Sequence, residues 1–271
     1  MKISAKQKVE FKAALQPYLK EKYRDLPWRR TKDPYKVLVS EFMLQQTQVL
    51  RVIPYYQKFI NEIPNFSALF CVKSAKLLRL WQGLGYNRRA LYLKRTAELI
   101  VNNYNGKLPA NIPELIKLPG VGVNTAGAVM VYAFNQPSVF VETNIRKVII
   151  KHFFSGEEKV SDVQIAQVIS RVLDYKNPRA WYFAVVDYGA QLSRSRDVAN
   201  SRSSHYHPQS KFEGSSRQLR AAIVRLILEK GRSTKELEGH YTKRKNKIPK
   251  ILTQLEGEGF IRRQGSLWVV I

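Results

Sequence analysis

Two carboxylates and one glycine hairpin stand in surroundings suited to chemistry. Glu41 lies in SEFML, ahead of Phe42, Met43 and Leu44. Partial desolvation by such neighbours favours the protonated carboxyl, the form a general acid needs. Glu142 lies in FVETNIRKV, after an apolar run and before a basic segment. The positive end of a helix dipole at that point keeps a carboxylate ionised while it faces a cation. Each has a plainer reading: Glu41 as a helix-surface position after Ser40, Glu142 as an acid that suits its helix end. Between them, ELIKLPGVGVNTAGAVMV (residues 114–131) reads as two helices joined by a tight hairpin at Gly120 and Gly122. Glycine there permits positive φ and close approach of another chain. The amides opening the second helix make a site for phosphate. Taken alone, LPGVG also fits an ordinary helix C-cap and turn.

The elements that must position these residues are mostly helical. Val9, Phe11, Leu15, Tyr18 and Leu19 fall on one face of a helix over residues 5–22. LPWRRTKDPYK is a turn-rich link, and residues 37–63 continue with helical spacing, broken at Pro54. Helical stretches follow through NIRKVIIKHFF, and alternating strand patterns are scarce before the end of the chain. Residues 191–216 are polar, Ser-rich and without period, a linker or basic surface loop. Beyond it the order is helix, GRST turn, short helix, basic helix, then two strands around Gln264 and Gly265. Ser233 or Thr234 is a suitable N-cap before Glu236 and Leu237. The order fits a winged helix-turn-helix, with residues 243–257 as recognition helix and Arg262 and Arg263 on the wing. The alternative is a small packing domain with a solvated basic face.

Composition narrows the partner. Lys and Arg number 46 against 21 acidic residues, a formal charge of +25. Such an excess predicts a polyanion, whose condensed counterions are released as phosphates are neutralised. The single cysteine, Cys71, excludes a disulfide framework and a cysteine-rich metal cluster, and its setting in ALFCVKS suggests a small buried thiol. No apolar run is long enough to span a bilayer. Glu10 and Glu21 mark the N-terminal segment as a helix of the fold rather than a transit peptide. The expectation is a soluble monomer in the reducing cytoplasm of a prokaryote, associated with the nucleoid.

LPWRRTKDPYKVLVSEFMLQQTQV, LWQGLGYNRRALYL, LPGVGVNTAGAV and VETNIRKV, in this order and spacing, resemble the helix-hairpin-helix base-excision DNA glycosylases. The run SEFMLQQTQV is similar to the adenine glycosylases that act on adenine mispaired with guanine or 8-oxoguanine. The resemblance covers about residues 25–192. It implies a mainly α, two-subdomain fold: a helical barrel over about 26–138, and a second subdomain from 1–25 plus 139–192. Residues 193–216 form the basic loop, and 217–271 a small winged-helix-like α/β domain. The implied partner is double-stranded DNA with a mismatched or damaged pair, its target base flipped out.

The resemblance also implies roles. Glu41 is the general acid toward a ring nitrogen of adenine. Glu142 stabilises the cationic sugar and positions the water, and Asn144 orients the carboxylate and the sugar-phosphate. Trp28, Arg29, Leu44 and Asn124 correspond to positions of the base pocket, although Trp28 also suits the core. Gln46 and Tyr86 wedge into the duplex, Gln45 and Thr47 lie near the orphaned base, and Gly120, Val121, Gly122 and Thr125 belong to the DNA-binding hairpin. Tyr86 equally suits a core aromatic.

The chain departs from this family in four places. Glu142 stands where the family has Asp, moving the charge by about an ångström; misplacement of that order can cost on the order of a hundredfold in rate. Asn124 precedes Thr125 where strand-nicking relatives carry a lysine nucleophile, so no Schiff base can form and a monofunctional enzyme is expected. The four cluster cysteines of most members align with Ser193, Asn200, Ser203 and Gln209, so no iron-sulfur cluster is expected. His205 and His207 are too few for a closed metal site. The C-terminal 55 or so residues are too short for the nudix-like domain with which adenine glycosylases sense 8-oxoguanine. Two alternatives remain: excision of thymine or uracil from mismatches, and a DNA-binding protein that keeps the scaffold without turnover.

Overall fold

Ser4 opens the first helix, α1 (Ala5–Leu19), with a capping box: its hydroxyl accepts the Gln7 N–H, and the Gln7 side chain accepts the Ser4 N–H. The same device, Ser161 with Gln164, opens α10 (Asp162–Val172). The computed structural model describes residues 3–195, 202–204 and 211–271. The polypeptide divides into two compact units, each assembled from separated stretches of chain.

The first unit comprises Met1–Val37, Pro109–Lys117 and Val121–Pro208. Besides α1 and α10 it contains the single turn α7 (Ile112–Leu115), α8 (Val123–Phe134), α9 (Thr143–Phe153) and α11 (Pro178–Ser195). Its core gathers Phe11, Leu15 and Tyr18 of α1, Val131 of α8, Ile145, Val148 and Ile149 of α9, and Tyr182 and Val185 of α11. Arg146 on α9 grips Asp162 on α10 through two bonds of 2.8 Å. Gly189 brings α11 against α9, because a Cβ there would stand 2.3 Å from the Asn144 carbonyl oxygen.

The second unit comprises Leu38–Leu108, Leu118–Gly120 and Gln209–Ile271. It takes most of α2 (Pro34–Leu44), then α3 (Val49–Glu62), α4 (Phe66–Cys71), α5 (Ser74–Trp81), α6 (Arg88–Asn103), α12 (Ser216–Glu229), α13 (Thr234–His240) and α14 (Ile248–Gly257). Its small antiparallel sheet has the order β1 (Arg232–Ser233), β3 (Leu267–Val270), β2 (Ile261–Gln264). Phe42, Met43, Phe59, Leu77, Trp81 and Leu93 are buried, as are Ile223, Leu237, Leu252 and Phe260 nearer the C-terminus.

Several local expectations are corrected. The helix break falls at residues 45–48, and α3 runs through Pro54, losing the one bond that its N–H would have made. The basic start of the expected recognition helix, residues 243–247, belongs to a 3-10 stretch (Thr242–Lys247), and α14 begins only at Ile248. The GRST turn contributes the short β1. Cys71, expected to be buried, is exposed. No described helix is long and apolar enough to cross a membrane.

Candidate functional site

In the second unit, the functional candidates surround one buried arginine. Arg89, near the start of α6, donates from Nη1 to the carbonyls of Phe42 (2.6 Å), Met43 (2.9 Å) and Gln45 (2.7 Å). Nη2 donates to the Thr47 hydroxyl (3.1 Å) and to the carbonyls of Leu84 (3.3 Å) and Gly85 (3.0 Å), and Nε to that of Tyr86 (3.3 Å). The first three acceptors include carbonyls that the end of α2 leaves without helical partners, where a cation also suits the dipole. Burial lowers the guanidinium to about 10, and it remains cationic at neutral pH. Sequence reasoning missed Arg89; its only signal was a second arginine in YNRRA, with nothing to separate it from its neighbour.

The two loops fastened by Arg89 carry Gln46 and Tyr86, the expected wedge residues. Both have left-handed backbones, with φ of 55° and 47°. The other two non-glycine residues with positive φ among those described are Asn105 and Asn135, a type that tolerates it. Strain at a glutamine and a tyrosine persists only where the surroundings over-determine it, which is common at ligand clamps. Here the surroundings are the Arg89 bonds and the Thr47 hydroxyl, which donates to the Gln45 (3.3 Å) and Leu84 (3.4 Å) carbonyls. Gln46 is exposed, while Gln45, Thr47 and Tyr86 are partly exposed.

Glu41 and Leu44 lie on α2 in partly exposed positions, while Phe42 and Met43 are fully buried. Gln45 Nε2 donates to the Gly120 carbonyl at 3.4 Å. Gly120 needs to be glycine: its φ is +79°, and a Cβ would stand 2.8 Å from the Phe42 ring.

In the first unit, Glu142 caps α9. Its Oε1 accepts the backbone N–H groups of Asn144 (3.0 Å) and Ile145 (3.1 Å), and its Oε2 accepts from the Asn144 side-chain amide at 3.4 Å. Burial raises the pKa of this carboxyl; the two backbone bonds and the charges of Arg146 and Arg24 pull it down but do not reverse the direction. The plainer reading of Glu142 as a helix cap is therefore realised, and burial opposes the ionised state expected from the dipole alone. Asn124, on the first turn of α8, accepts the Val141 N–H at 3.1 Å and so fixes the residue before Glu142. No spacing rule pointed to that link.

Gly122 is the N-cap of α8 at φ −87°, with no side-chain cap bond and open space around a built Cβ. It is thus not glycine for its backbone angle; the open side admits close approach of another chain. Val121 is buried and offers only its main chain, while Thr125 is partly exposed.

Arg29 and Trp28, expected at the base pocket, lie on a buried 3-10 turn (Pro27–Arg29). Arg29 is committed to Asp187 through two bonds of 2.8 Å and lies over the Phe183 ring at 4.4 Å. Its fork is occupied within the protein, a structural use that its exposed-looking sequence, PWRRT, did not disclose. A cavity of about 320 Å³ nearby is lined by Tyr18, Lys32, Asn135 and Arg179 and includes none of the expected site residues.

The positions aligned with cluster cysteines do other work where described. The Ser193 hydroxyl donates to the Gly189 carbonyl and accepts from Lys147 Nζ, and Ser203 bridges to Val160. Asn200, His205, His207 and Gln209 lie outside the described residues. A four-thiolate cluster does not fit a chain with one cysteine.

Residues 39–176, half of the chain, match the sequence profile of the HhH-GPD superfamily base excision DNA repair proteins. The chain belongs to this superfamily. Among HhH-GPD relatives, "Adenine DNA glycosylase" of Buchnera aphidicola subsp. Baizongia pistaciae (strain Bp) is 39% identical over 170 residues, covering 62% of this chain and 48% of the relative. "Thymine/uracil-DNA glycosylase" of Methanothermobacter thermautotrophicus is 34% identical over 139 residues, covering 51% of this chain and 63% of the relative. The solved structure of a thermostable thymine-DNA glycosylase superposes with a TM-score of 0.66 at 27% identity, covering 71% of this chain and 90% of that one. The chain spans about half the length of the adenine glycosylase it matches. The helical architecture is that of the HhH-GPD glycosylases.

Proposed function

We propose that this HhH-GPD protein is a monofunctional DNA glycosylase that hydrolyses the N-glycosidic bond of adenine mispaired with guanine or 8-oxoguanine. The observation that carries the reading is the left-handed pair Gln46 and Tyr86, fastened to the end of the Glu41 helix by Arg89. Side chains set on such fixed loops can fill a stack from which a base has been extruded, offsetting a few kcal/mol of unstacking.

In this reading Glu41 gives its proton to a ring nitrogen of the flipped adenine. The bond from sugar C1′ to N9 then breaks, and its electron pair leaves with the base. Ionised Glu142 faces the cationic sugar, and a water adds to C1′ as its proton passes to the carboxylate. Asn144 and Asn124 hold Glu142 in place from either side. Asn124 carries no amine nucleophile, so the product is an intact strand with an abasic site. The protein works without an iron-sulfur cluster, as a monomer on duplex DNA, and its cations serve the phosphates.

The thymine-glycosylase likeness favours a second reading, because this chain covers nine-tenths of that structure. Incubation with duplexes carrying A opposite 8-oxoguanine, A opposite G, T opposite G and U opposite G, followed by alkali, separates them. Strand cleavage at adenine alone supports the first reading, and cleavage at pyrimidines alone supports the second. Binding without cleavage of any duplex contradicts both.

A further inference from the structure

The C-terminal segment of the second unit reaches the wedge loop directly. Arg217, on the first turn of α12, donates from Nη1 to the Tyr86 hydroxyl, 131 residues away in sequence. Its guanidinium carbon lies 5.5 Å from the Tyr86 ring centroid and 6.0 Å from that of Phe212. Phe212 is 55% exposed, and Tyr86 and Arg217 are partly exposed, so an aromatic, guanidinium, aromatic row lies at the surface.

This placement is built rather than incidental. Glu258, after α14, is shared by Arg88 of α6 and Arg220 of α12. Arg95 donates to the Glu258 carbonyl at 3.2 Å, and Arg79 of α5 to the Leu228 carbonyl of α12 at 3.0 Å. Arg244 donates to the Ser215 carbonyl at 2.7 Å, fixing the chain just before α12. Six bonded side chains, Arg79, Arg88, Arg95, Arg220, Arg244 and Glu258, therefore hold α12 and its neighbours where Arg217 meets Tyr86.

We infer that Arg217 reads the base left opposite the flipped nucleotide. The inference rests on the reading of Tyr86 as a wedge. The phenolic oxygen is the outermost atom of that side chain, so a guanidinium bonded there travels with the wedge tip, at the level of the bases rather than the backbone. A guanidinium offers donors in a planar fork, and the fork matches the adjacent O6 and N7 acceptors of a guanine-type purine. Cytosine presents a donor on the corresponding edge and cannot accept the same pair. The winged-helix segment would thus supply opposite-base recognition to a glycosylase domain through one arginine.

Binding of the full chain to duplexes with a tetrahydrofuran abasic site opposite guanine or opposite cytosine tests this without requiring turnover. The parent is expected to prefer guanine, and R217Q to lose about tenfold or more of that preference, the range expected for one bidentate base contact. R217K, which keeps the charge but lacks the fork, should restore affinity for both duplexes without restoring the preference. Thermal unfolding of each variant establishes that it folds. A parent that does not distinguish the two duplexes, or an R217Q preference equal to the parent's, overturns the inference. So does an equal loss on both duplexes with the salt dependence reduced by about one ion, which would assign Arg217 to phosphate. If the parent releases no base from any mismatch yet shows the Arg217-dependent preference, the excision reading fails and this inference stands.

Discussion

Gly189 and Asn144 touch main chain to main chain, so closely that a Cβ on residue 189 would lie 2.3 Å from the Asn144 carbonyl oxygen and 2.7 Å from its Cβ. The obstacle is backbone at the start of α9, which cannot swing aside as a side chain can. Substitution of Gly189 by Ala should destabilise the protein by about 1–3 kcal/mol through overpacking, read by urea denaturation. Excision should fall as well, because the displaced Asn144 is what binds both oxygens of Glu142.

Arg89 fastens two loops at once, so its loss should affect DNA handling more than a single contact would. R89A leaves buried carbonyls of α2 without donors, with an expected cost of about 3 kcal/mol in chemical denaturation. R89K keeps the charge but cannot span the seven acceptors. It should stay folded and lose affinity for duplexes with an abasic site more than for undamaged duplex, since Gln46 and Tyr86 are no longer fixed. Equal affinities of R89K and the parent for the abasic duplex would separate Arg89 from wedge placement.

The carboxylate of Glu142 is one methylene longer than the aspartate that the family resemblance implies at this position. Asp is among the strongest N-cap residues, so E142D should retain the capping bonds and unfold within a few tenths of a kcal/mol of the parent. Its single-turnover excision should equal or exceed the parent rate. A large loss in E142D would show that the pocket is shaped around glutamate.

The raised pKa of Glu142 carries a sign. The folded form holds the proton more tightly than the unfolded chain, whose value is near 4.5. The stability contributed by this group is therefore complete below that pH and is lost as pH rises through the folded pKa. Unfolding free energies measured from pH 4 upward should decline across this window in the parent, and E142Q should remove that part of the slope. Excision runs the opposite way: its acid limb should rise as Glu142 ionises, at a pH above the ordinary carboxylate range.

The helical period of the sequence revealed α1 and α6, and order and spacing identified the superfamily, because both signals are local; α3 was expected to break at Pro54 and instead runs through it. What it did not reveal depends on distant partners. Arg89 is a hub because six carbonyls from the end of α2 and the two loops converge on it, and a carbonyl has no residue type to read. Arg29 is bonded to Asp187, 158 residues away, a link no local pattern shows. Gly122 and Gly120 look alike in LPGVG, but only Gly120 has a positive φ. The Arg217 contact to Tyr86 joins two domains that sequence reasoning treats separately.

In the proposed reaction Glu41 protonates adenine opposite guanine while the wedge loops hold the duplex. Single-turnover release of adenine from an A opposite G duplex, measured for the parent and E41Q with binding recorded on the same substrate, tests it most directly. The parent should release adenine, and E41Q should bind with the parent's affinity and release none. Release by E41Q at the parent rate would contradict it.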